Sequence, residues 1–262
     1  MRVTERIRTQ VVPQNSVAIW WLGQNSYVIK GARVCIMVDP FFSRPGDPGR
    51  YVHAEAPLRG DELQPDAVFC THTHSDHTDP GFLVQLSQRS PTTRFFGPPE
   101  SAHAMIAAGI SADRVRAVGP GEELEAGGAN LGVVLSKTPA VSDVAHLGYI
   151  AELAGVKVYD TGDIMRGVTR EPSLMEPLRR TAPQIALITT SPTEEEFPDF
   201  DEAAELAITI GARVAVPAHY DCFAKRTFDP APFAERFRGS AATRAEIIPY
   251  CGCFLFAGEE AQ

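Results

Sequence analysis

No uninterrupted apolar run in this chain reaches the ~18 residues that a membrane-crossing helix needs, so no spanning segment is expected. The N-terminal stretch Met1-Arg2-Val3-Thr4-Glu5-Arg6 lacks the apolar core of a secretory leader. Lysine and arginine form no cluster, and the net charge is -9. Nucleic-acid backbones are neutralised by basic patches, so this balance argues against nucleic acid as the main partner. It remains compatible with a small anionic substrate held by metals and a few local cations. The five cysteines, Cys35, Cys70, Cys222, Cys251 and Cys253, are odd in number and follow no framework spacing. A reducing compartment is therefore expected, by default the cytoplasm. Cys251-Gly252-Cys253 places one residue between its thiols, not the two of a zinc ribbon, which points to packing in a C-terminal strand.

Two further signatures are missing. No G-x-G-x-x-G follows the first apolar run, which removes support for a doubly wound dinucleotide fold. No G-x-S-x-G elbow surrounds Ser75, so a serine-nucleophile mechanism is not required. Histidine is sparse as well, with only seven in the chain. Three of them nevertheless fall in one segment, Thr71-His72-Thr73-His74-Ser75-Asp76-His77-Thr78-Asp79, directly after the apolar run Ala67-Val68-Phe69-Cys70.

The pattern H-x-H-x-D-H at the end of a strand points to metal ligation. On an extended chain His72 and His74 point the same way, so both imidazoles can reach one ion. Asp76 and His77 follow where the chain turns, and adjacent side chains there can diverge to serve a second ion. The plain structural alternative is a run of surface histidines before a helix. Asp79 fits the helix N-cap, with Pro80 at the first helical position. Two ions need more ligands, and further candidates lie at strand exits. Asp163 closes Tyr159-Asp160-Thr161-Gly162-Asp163, and a carboxylate can bridge two cations as imidazole cannot; Asp160 is its rival in the same loop. His219 follows Val214-Ala215-Val216-Pro217-Ala218. His146 either serves as a ligand or opens a strand as a packing residue. His53, in a loop, and His103, in a helix, are read as non-ligands.

Apolar runs at 17–22, 26–29, 34–38, 67–71, 94–97, 115–118, 131–135, 146–153, 156–159, 185–189, 214–217 and 253–256 predict strands. Helices are predicted after Asp79, over 99–109, over 200–210 with Asp199 as N-cap, and over 232–237. Residues 43–66, rich in proline, glycine and charge, predict a long loop of functional or mobile character. A chain of this length buries roughly 70–75% of its extended surface and needs no disulfide. Both halves mix strands and helices, and no low-complexity linker parts them. The expectation is one domain over residues 1–262, made of two β/α halves packed sheet to sheet with helices outside.

The motif formed by His72, His74, Asp76 and His77 resembles the signature of the metallo-β-lactamase fold superfamily of metal-dependent hydrolases. That resemblance implies a four-layer αβ/βα sandwich of two mixed β-sheets with helices outside. It implies two divalent ions, zinc first, with manganese or iron(II) as alternatives that N/O ligation also accepts. The first ion would belong to His72, His74 and His146, with Ser142-Asp143 as a rival for the third place. The second would belong to Asp76, His77 and His219, with Asp163 bridging. Asp39, at the end of a strand and before Pro40, would support the motif loop through hydrogen bonds. Trp21-Leu22-Gly23, Val38-Asp39-Pro40-Phe41, His146-Leu147-Gly148-Tyr149-Ile150 and Pro217-Ala218-His219-Tyr220 are similar to the branch containing L-ascorbate-6-phosphate lactonase. Relatives of that branch often carry a histidine after the first Leu-Gly, where this chain has Gln24-Asn25-Ser26.

The expected activity is metal-dependent hydrolysis of a small polar ester or lactone, with a phosphodiesterase and a non-catalytic metal-binding protein as alternatives. Asp76 is the candidate to orient the nucleophile or relay its proton, and His219 or a water on the metal the candidate proton donor to the leaving group. Lys225 and Arg226 could hold an anionic group, or simply be solvated, and the loop from Phe41 to Pro57 could cover the site. Aromatic content allows a homo-oligomer but supplies no interface pattern.

Overall fold

The computed structural model describes residues 1–258. In the first half, α1 (Val3–Thr9) precedes β1 (Ser16–Trp21), β2 (Tyr27–Lys30), β3 (Cys35–Val38) and β4 (Ala67–Phe69). Then come α2 (Pro80–Arg89), β5 (Arg94–Gly97), α3 (Pro99–Ala107) and β6 (Val115–Ala117). The second half runs β7 (Glu123–Ala126), β8 (Ala129–Leu135), β9 (Leu147–Leu153), β10 (Val156–Asp160), α4 (Pro172–Thr181) and β11 (Ile185–Thr189). It continues with α5 (Phe200–Thr209), β12 (Val214–Ala218), α6 (Ala231–Glu235) and β13 (Arg244–Ala245), and β14 (Cys253–Ala257) returns to pair with β1.

The strands form two seven-stranded sheets, ordered β14-β1-β2-β3-β4-β5-β6 and β13-β12-β11-β10-β9-β8-β7. Each begins with antiparallel hairpins and continues as parallel strands. Parallel neighbours require crossovers, and α2, α3, α4 and α5 lie in the intervals between parallel strands. This is the expected αβ/βα sandwich of two mixed sheets with helices outside.

The alternation along β1 shows why its sequence is apolar throughout. Val17, Ile19 and Trp21 enter the core shared by the two sheets, with Val133, Leu147, Tyr149, Val158, Leu187 and Val216 from the other side. Ala18, Trp20 and Leu22 face the opposite way, into the layer that holds Ile7, Phe82, Leu83, Leu86 and Met105 of the helices. A strand covered on both faces loses the apolar/polar alternation of a half-exposed one. The second sheet repeats the arrangement, with Leu174, Met175, Leu178, Ala203, Leu206 and Phe233 on its outer face.

Several boundaries differ from the sequence expectation. His146 stands just before β9, which starts at Leu147, and the strand expected to run to Thr71 stops at Phe69. Helices α1 and α4 and the short strands β7 and β13 were not foreseen. Within α4, Pro177 reads as an interruption, yet the Leu174, Met175 and Leu178 face is buried and the helix continues through it. Asp79 is the N-cap of α2, as expected: its Oδ1 accepts from Phe82 N at 3.1 Å, a contact worth ~1 kcal/mol. No helix among the described residues is long and apolar enough to cross a membrane.

Candidate metal centre

In α/β sheets, binding crevices open beyond the carboxyl ends of parallel strands, where neighbouring chains diverge. Here β3 delivers Asp39, β4 the His72–His77 segment, β10 the 160–163 loop and β12 His219. The His72–His77 segment is held as a tight turn and not as extended chain. His77 N and Thr78 N both donate to His74 O, at 3.0 and 2.8 Å. Thr78 Oγ1 donates to His72 O at 2.6 Å. The turn is also tied to the second sheet, because Leu147 N donates to Thr71 O at 2.9 Å and Tyr149 OH to Cys70 O at 2.8 Å.

This folding brings His72, His74, Asp76, His77, His146, Asp163 and His219 together, and leaves the rivals Asp160 and Asp143 outside. Three groups have donor atoms within 4.8 Å of one another: His72, His74 and His146; His72, His77 and Asp163; and Asp76, His77 and His219. Asp163 stands between the other two, with Oδ2 at 3.6 Å from His72 Nε2. Its Oδ1 is 3.3 Å from both His77 Nε2 and His219 Nε2. A tetrahedral site with Zn–N bonds of about 2.0–2.1 Å has donor–donor edges of about 3.3 Å. His77 Nε2 and Asp163 Oδ1 are buried and lack any hydrogen-bond partner, as does His219 Nδ1. Buried polar atoms are seldom left so, and the donor set fits divalent cations.

The profile of the beta-lactamase superfamily domain matches residues 18–219. The chain belongs to this superfamily. It is similar to a metal-dependent hydrolase of Thermococcus kodakarensis, 29% identical over 255 residues covering 93% of this chain and 98% of that one. It shares its fold with the metallo hydrolase Igni18 of Ignicoccus hospitalis, at a TM-score of 0.73 and 18% identity over 93% of this chain and all of the other. An isothiocyanate hydrolase from Delia radicum gut bacteria has the same fold at a TM-score of 0.71 and 15% identity, over 92% of this chain and 100% of that one. One fold hosts many reactions, so the substrate must be read from the site.

In this beta-lactamase superfamily member, Asp39 is the anchor beneath the cage. It is fully buried, with φ +41°. Its Oδ1 accepts from Thr71 N at 2.7 Å. Its Oδ2 takes Thr71 Oγ1 at 2.6 Å, Asn25 Nδ2 at 2.7 Å and His77 Nδ1 at 2.7 Å. Donation from Nδ1 leaves His77 Nε2 facing the cage. Asp160, the rival of Asp163, accepts instead from Asn25 Nδ2 at 3.0 Å and Gly162 N at 2.9 Å, outside the three groups. His146 joins the first group, while Asp143 sits outside it, its two oxygens 2.8 Å from His74 Nε2 and 2.9 Å from His146 Nε2. His53 pairs with Asp221 at 3.0 Å and stacks on Tyr250 at 3.6 Å, so it stays outside the cage, as does His103 on α3.

Charge is divided unevenly across these groups. Burial opposes protonation of His77, but Asp163, Asp39 and Asp76 outweigh it and raise its pKa to about 10. Burial, reinforced by repulsion from His77, pushes His72 well below the ordinary imidazole value, so it stays neutral. Burial would raise the Asp163 carboxyl, yet His77, His219, His72 and Lys137 hold it well below the usual range. A cage that is mutually repulsive among imidazoles and attractive to positive charge at its carboxylates suits cations.

Sequence reasoning did not assign four side chains that shape the site. Gln24, with φ +53°, is pinned by His219 N donating to its carbonyl at 3.0 Å and by its own N–H donating to Tyr220 O at 3.1 Å. Its Nε2 donates to Asp76 Oδ2 at 2.9 Å and lies 2.8 Å from His219 Nε2. Asn25 joins Asp39 of one half to Asp160 of the other. Thr71, which was assigned nothing, supplies two of the donors to Asp39. Lys137 is buried beside the cage. A strand-exit position after a glycine was the available signal for Gln24 and Asn25; Ser136-Lys137-Thr138-Pro139 carries none. A cleft of about 740 Å³ on the outer face of the second sheet, lined in part by Glu125, Glu152, Lys157 and Arg180, contains none of the cage residues.

Proposed function

We propose that this protein is a dinuclear metal-dependent hydrolase acting on a small polar, anionic ester or lactone. The observation that carries the reading is Asp163, whose two oxygens face two different sets of imidazoles from one buried carboxylate. His72, His74 and His146 would hold one ion, and Asp76, His77 and His219 the other, with Asp163 shared. Zinc is the first candidate, with manganese and iron(II) accepted by the same donors. When bound, such a pair lowers the pKa of water to about 7 and polarises a carbonyl or phosphoryl oxygen.

The chain's own residues do the rest. Asp76 has its Oδ2 engaged by Gln24 while its side chain remains 16% exposed. It therefore reaches the open side of the cage, where it orients the attacking water and takes its proton. Asp76 would then pass that proton to the leaving group, because His219, 1% exposed and with Nε2 turned to Asp163, would be committed to the ion. Over this side the 41–57 loop packs on the 220–224 segment: Phe41, Tyr51, Cys222 and Phe223 form one apolar cluster, and Val52 N donates to Cys222 O at 2.9 Å. A cover of this kind would restrict access to small molecules. The local phrases shared with the lactonase-like branch favour a lactone among them, and five free thiols favour a cytoplasmic setting. We further infer one domain over residues 1–262, of which 259–262 lie outside the described residues.

The test is metal content by mass spectrometry, with a hydrolysis screen of sugar lactones, phosphate esters, cyclic phosphodiesters and thioesters under zinc and manganese. Turnover should appear on the lactone or ester class and vanish in His72→Ala and Asp163→Ala with the fold kept. Two equivalents of metal without turnover on any class would overturn it in favour of a metal-binding protein.

A further inference from the structure

The sequence offers Lys225 and Arg226 as cations for an anionic substrate, but the structure redirects attention. Arg226 is engaged by the Glu194 carboxylate and lies 3.9 Å from Glu196. Lys225 is exposed on the loop after β12. Lys137 is different: it is only 6% exposed. Its neighbour Ser136 is fixed by three contacts to the elements that carry the cage. Ser136 N donates to His146 O at 3.0 Å, Ser136 O accepts from Met165 N at 3.1 Å, and Ser136 Oγ donates to Thr161 O at 2.5 Å. Lys137 Nζ lies 5.6 Å from the centre of the Phe197 ring, and that ring is 4.8 Å from the His219 ring. The chain at Lys137 is thus held through Ser136 to the segments that present His146 and Asp163, and its ammonium lies near the Phe197 ring that packs on His219.

Its compensation is thin. The ammonium has three donors, and its one carboxylate partner among the described residues is Glu196, at 3.3 Å. Glu196 is itself 54% exposed and faces Arg226 as well. Removing an ammonium from water costs several kcal/mol unless good geometry and further hydrogen bonds offset it. One long contact to a half-solvated carboxylate and the Phe197 ring face leave hydrogen-bond donors unmet. The field of Lys137 also reaches the cage, where it adds to the imidazoles that hold Asp163 down and to the burial that lowers His146. A buried cation with donors to spare, beside a metal cage, is arranged to meet an anion.

We propose that Lys137 is the specificity-determining residue of the site, binding the phosphate or carboxylate group of the small substrate while the scissile bond lies at the cage. The inference rests on the hydrolase reading and names its substrate class, a small molecule that carries an oxyanion separate from the bond cleaved. Glu196 acts as the place-holder that the substrate anion displaces.

The test is calorimetric titration of the metal-loaded protein with inorganic phosphate and, separately, acetate at low ionic strength. Phosphate also meets the metals, so the comparison between variants isolates Lys137. Lys137→Met should weaken one or both anions about tenfold at unchanged metal content, and the anion that loses more identifies the group recognised. Glu196→Gln, at a half-exposed position, should tighten binding of the same anion. Wild-type affinity for both anions in fully metallated Lys137→Met would overturn the proposal. If Lys137→Met does not fold, Glu196→Gln decides alone, and unchanged or weakened affinity there overturns it. These readouts need no turnover, so a negative hydrolysis screen overturns the catalytic reading separately, and unchanged anion binding beside active hydrolysis overturns only the subsite.

Discussion

Replacing Asp39 with asparagine isolates the link between the buried hydrogen-bond network and the metal cage. The carboxylate receives Thr71 N on one oxygen, and Thr71 Oγ1, Asn25 Nδ2 and His77 Nδ1 on the other. Asparagine keeps the shape but has a single acceptor oxygen. Its amide nitrogen must face either one donor or three, so the favoured rotamer turns it towards Thr71 N. That leaves one buried amide unsatisfied, at about 1–3 kcal/mol. The three remaining hydrogen bonds lose their charge assistance, which roughly halves each. The summed loss of about 3–5 kcal/mol is a large part of the 5–15 kcal/mol that stabilises a typical domain.

The consequence for metal is separable from that loss. A neutral partner no longer fixes His77 with its proton on Nδ1, nor raises its basicity at Nε2. Substitution of such supporting partners lowers metal affinity by about 10- to 100-fold. Zinc competition against a chromophoric chelator should show that loss in Asp39→Asn protein whose near-ultraviolet circular dichroism remains native. Guanidinium unfolding should show the stability loss in parallel. Native-like zinc affinity in folded Asp39→Asn would refute the reasoning, because Asp39 would then be a strand-end residue without influence on the cage.

Three other outcomes follow from the same geometry. Gln24→Ala removes the donor to Asp76 and the contact with His219, so on the dinuclear reading one of two metal-binding steps should lose about tenfold while the other is kept; calorimetry resolves the two. Gly162→Ala would set a Cβ 2.6 Å from Leu147 O and 2.8 Å from Thr71 Cβ at a φ of +53°, so chemical denaturation should register a loss of about 2–5 kcal/mol. Burial and then the Asp39 carboxylate raise Asp160 to about 7. A folded pKa above the unfolded value of about 3.9 means that the folded chain holds the extra proton between the two, so stability falls as pH rises through that window and the full penalty remains above it. The melting temperature of metal-free Asp160→Asn should therefore gain on the unsubstituted protein as pH goes from 4 to 8, and a constant difference would refute the assignment.

Much of the fold was legible because a strand covered on both faces must be apolar at nearly every position. Runs such as Ile185–Thr189 and Arg94–Gly97 carry their own limits. What escaped was of two kinds. Helix α4 hides behind Pro177 and a charged composition, since its apolar face is only a narrow stripe. Strands β7 and β13 are short edge elements whose side chains are mostly not buried, and pairing rather than composition defines them. The ligand candidates were legible for a different reason. Four of the seven fall within six residues, and of the others Asp163 and His219 follow apolar strands and His146 precedes one, where the chemistry of imidazole and carboxylate stands out against the core.

The supporting residues were hidden because nothing local marks them. Gln24 and Asn25 sit in an ordinary turn between β1 and β2, and Lys137 in an ordinary turn after β8. Their roles exist only once the halves dock. Asn25 then spans Asp39 and Asp160, Leu147 N reaches Thr71 O, and Gln24 exchanges backbone hydrogen bonds with His219 and Tyr220. The cage therefore draws His72, His74, Asp76 and His77 from one half and His146, Asp163 and His219 from the other. In the Asp76, His77 and His219 group, neither half alone supplies all three donors. On the proposed reading, metal binding there would report on the docking of the two sheets, and ions sharing Asp163 would stabilise the interface they straddle because they would bind the docked form alone.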